Sequence, residues 1–464
     1  MKTAIRTLTK YRSYALINIF GLAIGLAGAL LITFFVTDEV SYDKHHEHAG
    51  RIYRIGMHGK IKSQDMYMAL SSYPMAAALT EDYPVVEEAA RLQPQEDAVV
   101  KISDRTYTEN GMFFADSTTL DVFTMPVVQG DPEKMLNEPN QVVLTRSQAR
   151  KYFGDANPMG KQVEWVNFDR KLEVTGVIED CPVNSHFQYD MLVSFATSRR
   201  ASSPVWLGNS VYTYLLLQEG TSPEALEEQF PAMVEKYVGP QIEQAMGVSL
   251  SEFYEQGNEW GYFLQPLTDI YLHSDLSHEI GQVGNINHVY FFSIIALFLI
   301  VIAAINFMNL ATAKSANRAR EVGVRKVTGS SRGQLMGQFL AEAVLISFVA
   351  LAVALVLVII ALPHFNNLAN KDLGVSFLYQ PVVMGGLLLV GIVVGLLAGS
   401  YPAFYLSAFK PVAVLKGKVS GGSKNSRIRG GLVVFQFTIT IVLLICTLVV
   451  SRQMHYVNKK DLGF

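Results

Sequence analysis

Cysteine and charged residues are both scarce in this chain. Only two of its 464 residues are cysteines and 17% are charged, whereas soluble proteins average about 25% charged residues. Cys181 lies in a polar region and Cys446 in an apolar one, so we expect no disulfide between them and a fold that does not depend on oxidation. The low charge and the net charge of −3 exclude an intrinsically disordered protein and a generally basic nucleic-acid binder.

Catalytic motifs are also missing from the sequence. A nucleotide-binding loop needs G-x-x-x-x-G-K-[ST], so that backbone amides and one lysine hold the phosphates. The nearest stretch, 417–424, has serine where that lysine belongs, and an apolar run follows it. No Ser/His/Asp or Cys/His arrangement has a recognisable spacing. We therefore predict that the chain is not an enzyme and has no cofactor, and that any ATP is hydrolysed by a separate chain.

One histidine cluster is the only candidate metal site in the sequence. His45, His46 and His48 lie beside Asp43 and Glu47. A metal site is usually completed by distant residues and by partners that orient its ligands. We favour a solvated turn next to the membrane over a metal site, and predict no metal.

Long uncharged runs alternate with polar segments. Five of these runs meet the requirement of roughly 20 apolar residues for a membrane-spanning helix. We predict an α-helical membrane protein with spans at 14–36, 289–313, 334–362, 381–408 and 431–451. The first run continues well past its small residues, so we interpret it as a retained anchor and not as a cleaved signal peptide.

Charge is distributed unevenly between the predicted spans. The segment 37–288 contains 18 basic and 37 acidic residues, a net charge of −19. The segments 1–13, 314–333 and 409–430 are basic. Basic loops stay in the cytoplasm, so we predict that these three segments are cytoplasmic, the first of them amphipathic. The 37–288 block and the short loop 363–380 are then on the outer side.

The large polar block has a mixed pattern. We predict strands at 51–57, 141–145 and 172–178, and helices at 74–82 and 146–153. Ser222 followed by Pro223 predicts another helix start. The block is therefore expected to be an α+β domain, with two subdomains.

Ionisable residues are rare within the predicted spans, which disfavours a proton- or ion-coupled carrier. Glu342 is the exception, and we interpret it as a polar contact near the cytoplasmic end of the third span. Small residues recur every four positions in the first and fourth spans, which predicts close helix packing. These residues are Gly21, Gly25, Gly391, Gly395 and Gly399.

A basic segment follows the second span. Arg318, Val322, Arg325 and Lys326 fall at helical spacing, and residues 328–331 form a turn that restarts a helix. One interpretation is a basic patch that contacts anionic lipid. The acidic Glu321 and the turn favour a short cytoplasmic helix that contacts a soluble partner.

The sequence resembles the MacB/FtsX-type permeases of ABC transporters, the type VII or mechanotransmission family. The stretch R-E-V-G-V-R-K-V-T-G at 320–329 is similar to that family's R-E-I-G-[IL]-R-[KR]-A-x-G signature, with Thr328 in place of a frequent alanine. Q-F-L-A-E at 338–342 resembles its Q-F-L-x-E. Further similarities occur in the expected order at 18–25, 39–44, 51–54, 153–161, 174–180, 400–403 and 410–417.

This resemblance implies a MacB-like periplasmic core domain between the first two helices and a location in the bacterial plasma membrane. It implies a coupling helix at 314–333 that contacts a cytoplasmic ABC ATPase dimer. The coupling residues would be Arg318, Arg320, Glu321, Gly323, Arg325, Lys326 and Gly329. The function implied is ATP-driven export or extraction; the alternative is an FtsX-like signalling scaffold that activates periplasmic partners without transport. A periplasmic adaptor or an outer-membrane channel is a further expected partner.

The fifth span does not fit a four-helix half of this family. Residues 452–464 resemble the start of a second outer domain. We therefore expect a second permease half, in a longer chain or as a partner.

Overall fold

A computed structural model describes residues 12–313, 322–371, 373–408 and 423–459. The chain divides into two compact units, residues 1–37 with 289–464, and residues 38–288. Parts of five predicted segments lie outside the described residues. These parts are 1–11, 314–321, 372, 409–422 and 460–464.

The described residues contain thirteen labelled α-helices and a further helical segment at 322–327. The labelled helices are α1 (Arg12–Glu39), α2 (Met75–Asp82), α3 (Thr119–Val122), α4 (Arg146–Phe153), α5 (Pro223–Glu227), α6 (Phe230–Met233), α7 (Gly239–Met246), α8 (Leu250–Glu255), α9 (Leu267–His273), α10 (Ile286–Ala313), α11 (Arg332–Ala369), α12 (Pro381–Ser407) and α13 (Ser423–Lys459). The strands are β1 (Ile52–Ile61), β2 (Gln64–Met68), β3 (Ser71–Ser72), β4 (Val86–Gln95), β5 (Ala98–Ile102), β6 (Arg105–Glu109), β7 (Met112–Ala115), β8 (Val127–Gly130), β9 (Gln141–Thr145), β10 (Gln162–Trp165), β11 (Arg170–Ile178), β12 (Met191–Ser194), β13 (Asn209–Leu217) and β14 (Glu259–Pro266).

Within the part of the chain that the structure describes, five helices are long and apolar enough to cross a membrane. They are α1, α10, α11, α12 and α13, and the qualifying stretches run from 25 to 38 residues. A helix of 20 residues is about 30 Å long, so each can span the hydrocarbon core of a bilayer. The predicted class, an α-helical membrane protein with an α+β domain between its first two membrane helices, is confirmed.

Two helices run at least seven residues past one end of the segments from which they were predicted. α11 continues through Pro363 to Ala369, whereas the sequence indicated a loop from 363. Proline has no N–H to donate to the preceding turn, but the helix resumes and ends at Asn370, a left-handed C-cap. α13 covers Ser423–Lys459 rather than 431–451, because helical hydrogen bonds also form in the polar residues that flank an apolar run. The limits of the spans within these helices stay predictions.

The unit 38–288 is built on one 14-stranded mixed sheet. Its main strand order is β14-β1-β13-β4-β7-β12-β9-β11-β10-β5-β6, with β2, β3 and β8 at its sides. Two pairs are parallel, β7 with β12 and β9 with β11. A division of this unit into two subdomains stays a prediction.

Local sequence signals account for several of these elements. α4 begins after Thr145, whose hydroxyl accepts a hydrogen bond from the backbone N–H of Gln148. α5 begins after Ser222, which caps it in the same way, with proline at its first position. Such caps satisfy N–H groups that have no partner within the helix. The predicted starts of both helices are confirmed.

Alternating residues of β13 place apolar side chains on both faces of the sheet. Leu215 and Leu217 pack with Leu79 of α2 and Phe230 of α6. Tyr212, Tyr214 and Leu216 belong to a second core that contains Phe123 and Phe187. A third core, around β5, β7, β10 and β12, includes Trp165. The sheet is therefore buried on both faces.

The histidine cluster that follows α1 is part of a buried polar network. Asp43 is fully buried, and its Oδ1 lies 2.9 Å from Nδ1 of His186, whose Nε2 lies 2.7 Å from the hydroxyl of Tyr214. His46 is 4% exposed and accepts a hydrogen bond from the backbone N–H of Thr124. The solvated-turn interpretation is therefore wrong for Asp43 and His46. The sequence alone did not indicate that His186 and Thr124, which are distant in sequence, contact these two side chains.

Acid is expected to destabilise the unit through His46. Burial, followed by the nearby His45 imidazole, lowers the pKa of His46 to about 3. The unfolded chain, with a histidine pKa of about 6.5, then binds more protons than the folded chain as pH falls from 6.5 towards 3. This group therefore reduces stability in that window by up to about 1.4 kcal/mol per pH unit.

The measurement is urea unfolding of the His46→Gln variant, which keeps an acceptor for Thr124 N–H, at pH 7.5, 6 and 5. We expect a weaker loss of stability on acidification than in the unmodified chain. His288→Gln, at an exposed position, is the matched control. Equal pH dependence in the His46 variant and the unmodified chain would rule out a buried neutral His46.

Candidate functional site

The helical segment 322–327 packs against the adjoining ends of α11 and α12. Val322 is 2% exposed and belongs to one apolar cluster with Leu335, Phe339, Ala403 and Leu406. Gly323 is buried beside it. Burying an apolar side chain contributes roughly 1.5–3 kcal/mol, so Val322 anchors the segment to both helices.

Polar contacts add to this apolar anchor. Lys326 Nζ donates to the carbonyl oxygen of Ser407, the last residue of α12, at 2.7 Å. Arg325 Nη1 donates to Gln338 Oε1 of α11 at 2.7 Å. Gln338 Nε2 in turn donates to Oε1 of the buried Glu342 at 3.1 Å. The segment is therefore tied to both helices by its own cations.

A turn fixes the angle between the segment and α11. Gly329 has φ +102°, a conformation that side chains with a Cβ rarely adopt. Ser331 then caps α11 in a capping box with Gln334. The predicted turn and helix restart at 328–331 are confirmed.

The opposite face of the segment is exposed and apolar. Val324 is 51% and Val327 66% exposed, and residues three apart lie on one side of a helix. Thr328 and Gly329 extend this exposed surface. We call Val324, Val327, Thr328 and Gly329 the segment face.

Eight residues were singled out in the sequence for coupling or for a polar contact beside it. The structure brings five of them together, and the other three lie outside the described residues. Gly323, Arg325, Lys326, Gly329 and Glu342 lie in or beside the 322–331 region. Arg318, Arg320 and Glu321 fall within 314–321, outside the described residues. Sequence reasoning missed Val324, Val327, Gln338 and Ser407. The four-residue spacing of Gln338 and Glu342 is one signal that could have indicated their contact.

The small residues of the first and fourth membrane helices face neighbouring helices closely. A Cβ on Gly25 would lie 2.6 Å from Cβ of Ala303 in α10. A Cβ on Gly395 would lie 2.6 Å from Cα of Val344 in α11. A Cβ on Gly21 would face Asn306 Nδ2, and one on Gly391 would face the Phe348 ring. A Cβ on Gly399 would face Ala343 Cβ.

Replacing Gly395 by alanine is therefore expected to destabilise the helix pair by about 1–3 kcal/mol, because the added methyl meets backbone. The matched control is Gly386→Ala in the same helix, where a Cβ has no neighbour within 4 Å and helix propensity favours alanine. Thermal unfolding of the purified chain should give a lower midpoint for Gly395→Ala only. Equal midpoints would show that the close approach is not needed.

Among the described residues, no group of three or more His, Cys, Asp or Glu side chains is placed to hold a metal ion. In particular, Nδ1 of His46 already accepts a hydrogen bond from Thr124 N–H.

Two family profiles match the chain in succession. The MacB-like periplasmic core domain matches residues 15–233, and the FtsX-like permease C-terminal domain matches residues 293–411. The second match includes the 322–327 segment, α11 and α12.

Individual relatives agree with these profiles. The chain is 24% identical over 274 residues to the uncharacterized ABC transporter permease YknZ of Bacillus subtilis, covering 59% of this chain and 61% of YknZ. It is 33% identical over 121 residues to the macrolide export ATP-binding/permease protein MacB of Bradyrhizobium diazoefficiens, covering 26% of this chain and 18% of MacB. The chain thus spans less than two thirds of either relative.

The chain is also similar to the crystal structure of a permease domain from Porphyromonas gingivalis, with 28% sequence identity and a TM-score of 0.41. The match covers 48% of this chain and 91% of that domain. Residues 15–233 therefore belong to the MacB-like periplasmic core domain family and residues 293–411 to the FtsX-like permease family, and the chain is similar to ABC transporter permeases of the MacB and YknZ kind.

Proposed function

We propose that this chain is the permease subunit of an ABC export or extraction system, and that a separate cytoplasmic ATPase dimer drives it. The segment face is the ATPase contact. The observation that supports this most directly is the combination of an exposed Val324–Val327 pair with an opposite side bound to α11 and α12. Such a segment can transmit a force from the ATPase to α11 and α12.

Force transmission follows from these contacts. A displacement of the segment moves Lys326 and Val322, and with them the ends of α11 and α12. Those two helices are joined along their length by the close contacts at Gly391, Gly395 and Gly399, so they move as a rigid pair. Rigid-body rotation of packed helices is a common route for such transitions.

The charge distribution supports an orientation. The basic segments at 1–13, 314–333 and 409–430 lie on the cytoplasmic side of the bacterial plasma membrane, and the acidic unit 38–288 lies outside. The ATPase contact and the large domain are then on opposite sides of the bilayer. Arg318, Arg320 and Glu321 complete the coupling segment, and Glu342 braces it through Gln338.

The proposal extends to a second permease half and to a periplasmic partner. α13 exposes apolar side chains over most of its described length, which supports contact with lipid or with another helix bundle. An adaptor or an outer-membrane channel is the expected partner of the outer unit.

Affinity capture of the tagged chain from its native membranes tests the function. We expect a copurifying ATPase with a phosphate-binding loop, and ATP hydrolysis that responds to the presence of the permease. A captured complex with no ATP-hydrolysing chain would contradict the proposal.

A further inference from the structure

The outer unit contains a cavity of about 630 Å³ that the proposed coupling role does not use. It lies beside the ends of β4, β7 and β10 and the loop that follows β12, all within residues 38–288. Pockets for small organic molecules usually measure about 300–1,000 Å³. The cavity is therefore large enough for a ligand with an aromatic or aliphatic body.

Aromatic side chains form one wall of this cavity. Phe114 and Trp165 are buried, with ring centroids 5.4 Å apart. Phe168 lies 4.3 Å from Trp165 and is 57% exposed. The indole N–H of Trp165 is buried without an acceptor among the described residues. An exposed Phe above buried rings provides an apolar surface that a flat ligand can cover.

Cationic side chains form another part of the lining. Arg170, Arg199 and Arg200 all border the cavity, together with one carboxylate, that of Asp169. None of the three arginines forms an ion pair with a described residue. This positive concentration occurs in a segment whose net charge is −19. Guanidinium groups bind carboxylates through two parallel hydrogen bonds, so the lining favours an organic anion.

The arginine-bearing loop is held in place by Arg91. Its Nη1 donates to the backbone oxygens of Tyr73 at 2.7 Å and Ala201 at 2.9 Å. Arg91 also pairs with Asp116 and lies over the ring of Phe195, 4.3 Å from its centroid. The loop position is therefore fixed before a ligand arrives, which reduces the entropy lost on binding.

The aromatic side is fixed as well. Asn167, in the turn between Trp165 and Phe168, accepts a hydrogen bond from the backbone N–H of Val99 at 2.5 Å and donates to the Asp97 carbonyl at 3.4 Å. These bonds tie the turn to β5 and to Asp97, which directly precedes it. Both sides of the cavity are therefore supported by the strands behind them.

We propose that this cavity is a binding site for small aromatic carboxylates, with the ring against Phe168 and the carboxylate at Arg199 and Arg200. The site does not depend on the ATPase contact. It assigns the outer unit a ligand-recognition role of its own.

Isothermal titration of the full chain in lipid nanodiscs with 2-naphthoate tests the proposal, with the heat of empty nanodiscs subtracted. We expect saturable binding with a dissociation constant below about 1 mM. The neutral 2-naphthamide should bind at least about tenfold more weakly, because it cannot form charge-assisted hydrogen bonds.

Two variants locate the binding. Arg199→Gln combined with Arg200→Gln should weaken 2-naphthoate binding by roughly 10-fold or more, and Phe168→Ser by a few-fold. Arg150→Gln, an exposed arginine outside the cavity, is the matched control and should bind as the unmodified chain does. Absence of saturable binding, equal binding of the amide, or equal binding by the double arginine variant would each overturn the proposal.

Discussion

Replacing Val324 and Val327 by glutamate is expected to reduce ATPase capture by at least about tenfold and to abolish stimulation of ATP hydrolysis. Both side chains are more than half exposed, so the substitutions leave the apolar cluster around Val322 intact. In the complex they would bury two unpaired carboxylates, and each tenfold loss in affinity corresponds to about 1.4 kcal/mol. The measurement is quantitative pull-down of the ATPase with the double variant.

The matched control is Val183→Glu, at a 62% exposed valine in the outer unit. It adds the same charge to the same residue type and should capture ATPase normally. Normal capture by the Val324/Val327 variant would show that the segment face is not the contact. Capture lost in the control as well would point to a general effect of added charge.

Replacing Arg54 by methionine is expected to lower the free energy of unfolding of the outer unit by about 3–5 kcal/mol, the cost of breaking a buried ion pair. Arg54 lies in β1 with a side chain that is 0% exposed. It binds both carboxylate oxygens of Glu279, at 2.6 and 2.8 Å, and Oε1 of Gln265 in β14 at 2.6 Å. Methionine leaves the mostly buried carboxylate of Glu279 unpaired.

Chemical unfolding monitored by circular dichroism gives the comparison. Arg146→Met breaks the exposed pair with Glu179 and should cost less than about 1 kcal/mol. Adding Glu279→Leu to Arg54→Met should recover stability, because it removes the unpaired charge. A loss below 1 kcal/mol in Arg54→Met alone would contradict a structural role for this pair.

Elements with local signals could be predicted from the sequence. α4 and α5 followed from their capping residues and from the apolar spacing after them. The five membrane helices followed from uncharged length alone. The order of the sheet could not be predicted, because β1 pairs with β13 and β14, more than 150 residues away, and no local pattern specifies such pairing.

The sequence predicted which residues belong to the candidate site, but not which neighbouring helices their side chains contact. Spacing indicated a basic helical segment, whereas the sequence could not tell that Lys326 and Arg325 bond to α12 and α11. The exposure of Val324 and Val327 could not be predicted, because helical spacing does not specify which side of the segment α11 and α12 cover. Arg54 was likewise assigned to a strand with no sign that its charge is buried, since its partner Glu279 is 225 residues away.

Site-specific photocross-linking at Val327 tests the central claim most directly. A benzoyl-phenylalanine placed there, in membranes that contain the ATPase, should form a covalent product with the ATPase chain. The same group at Val183 should give none. A product at Val327 would identify the segment face as the coupling contact, whereas repeated absence of this product from an intact permease–ATPase complex would contradict the account.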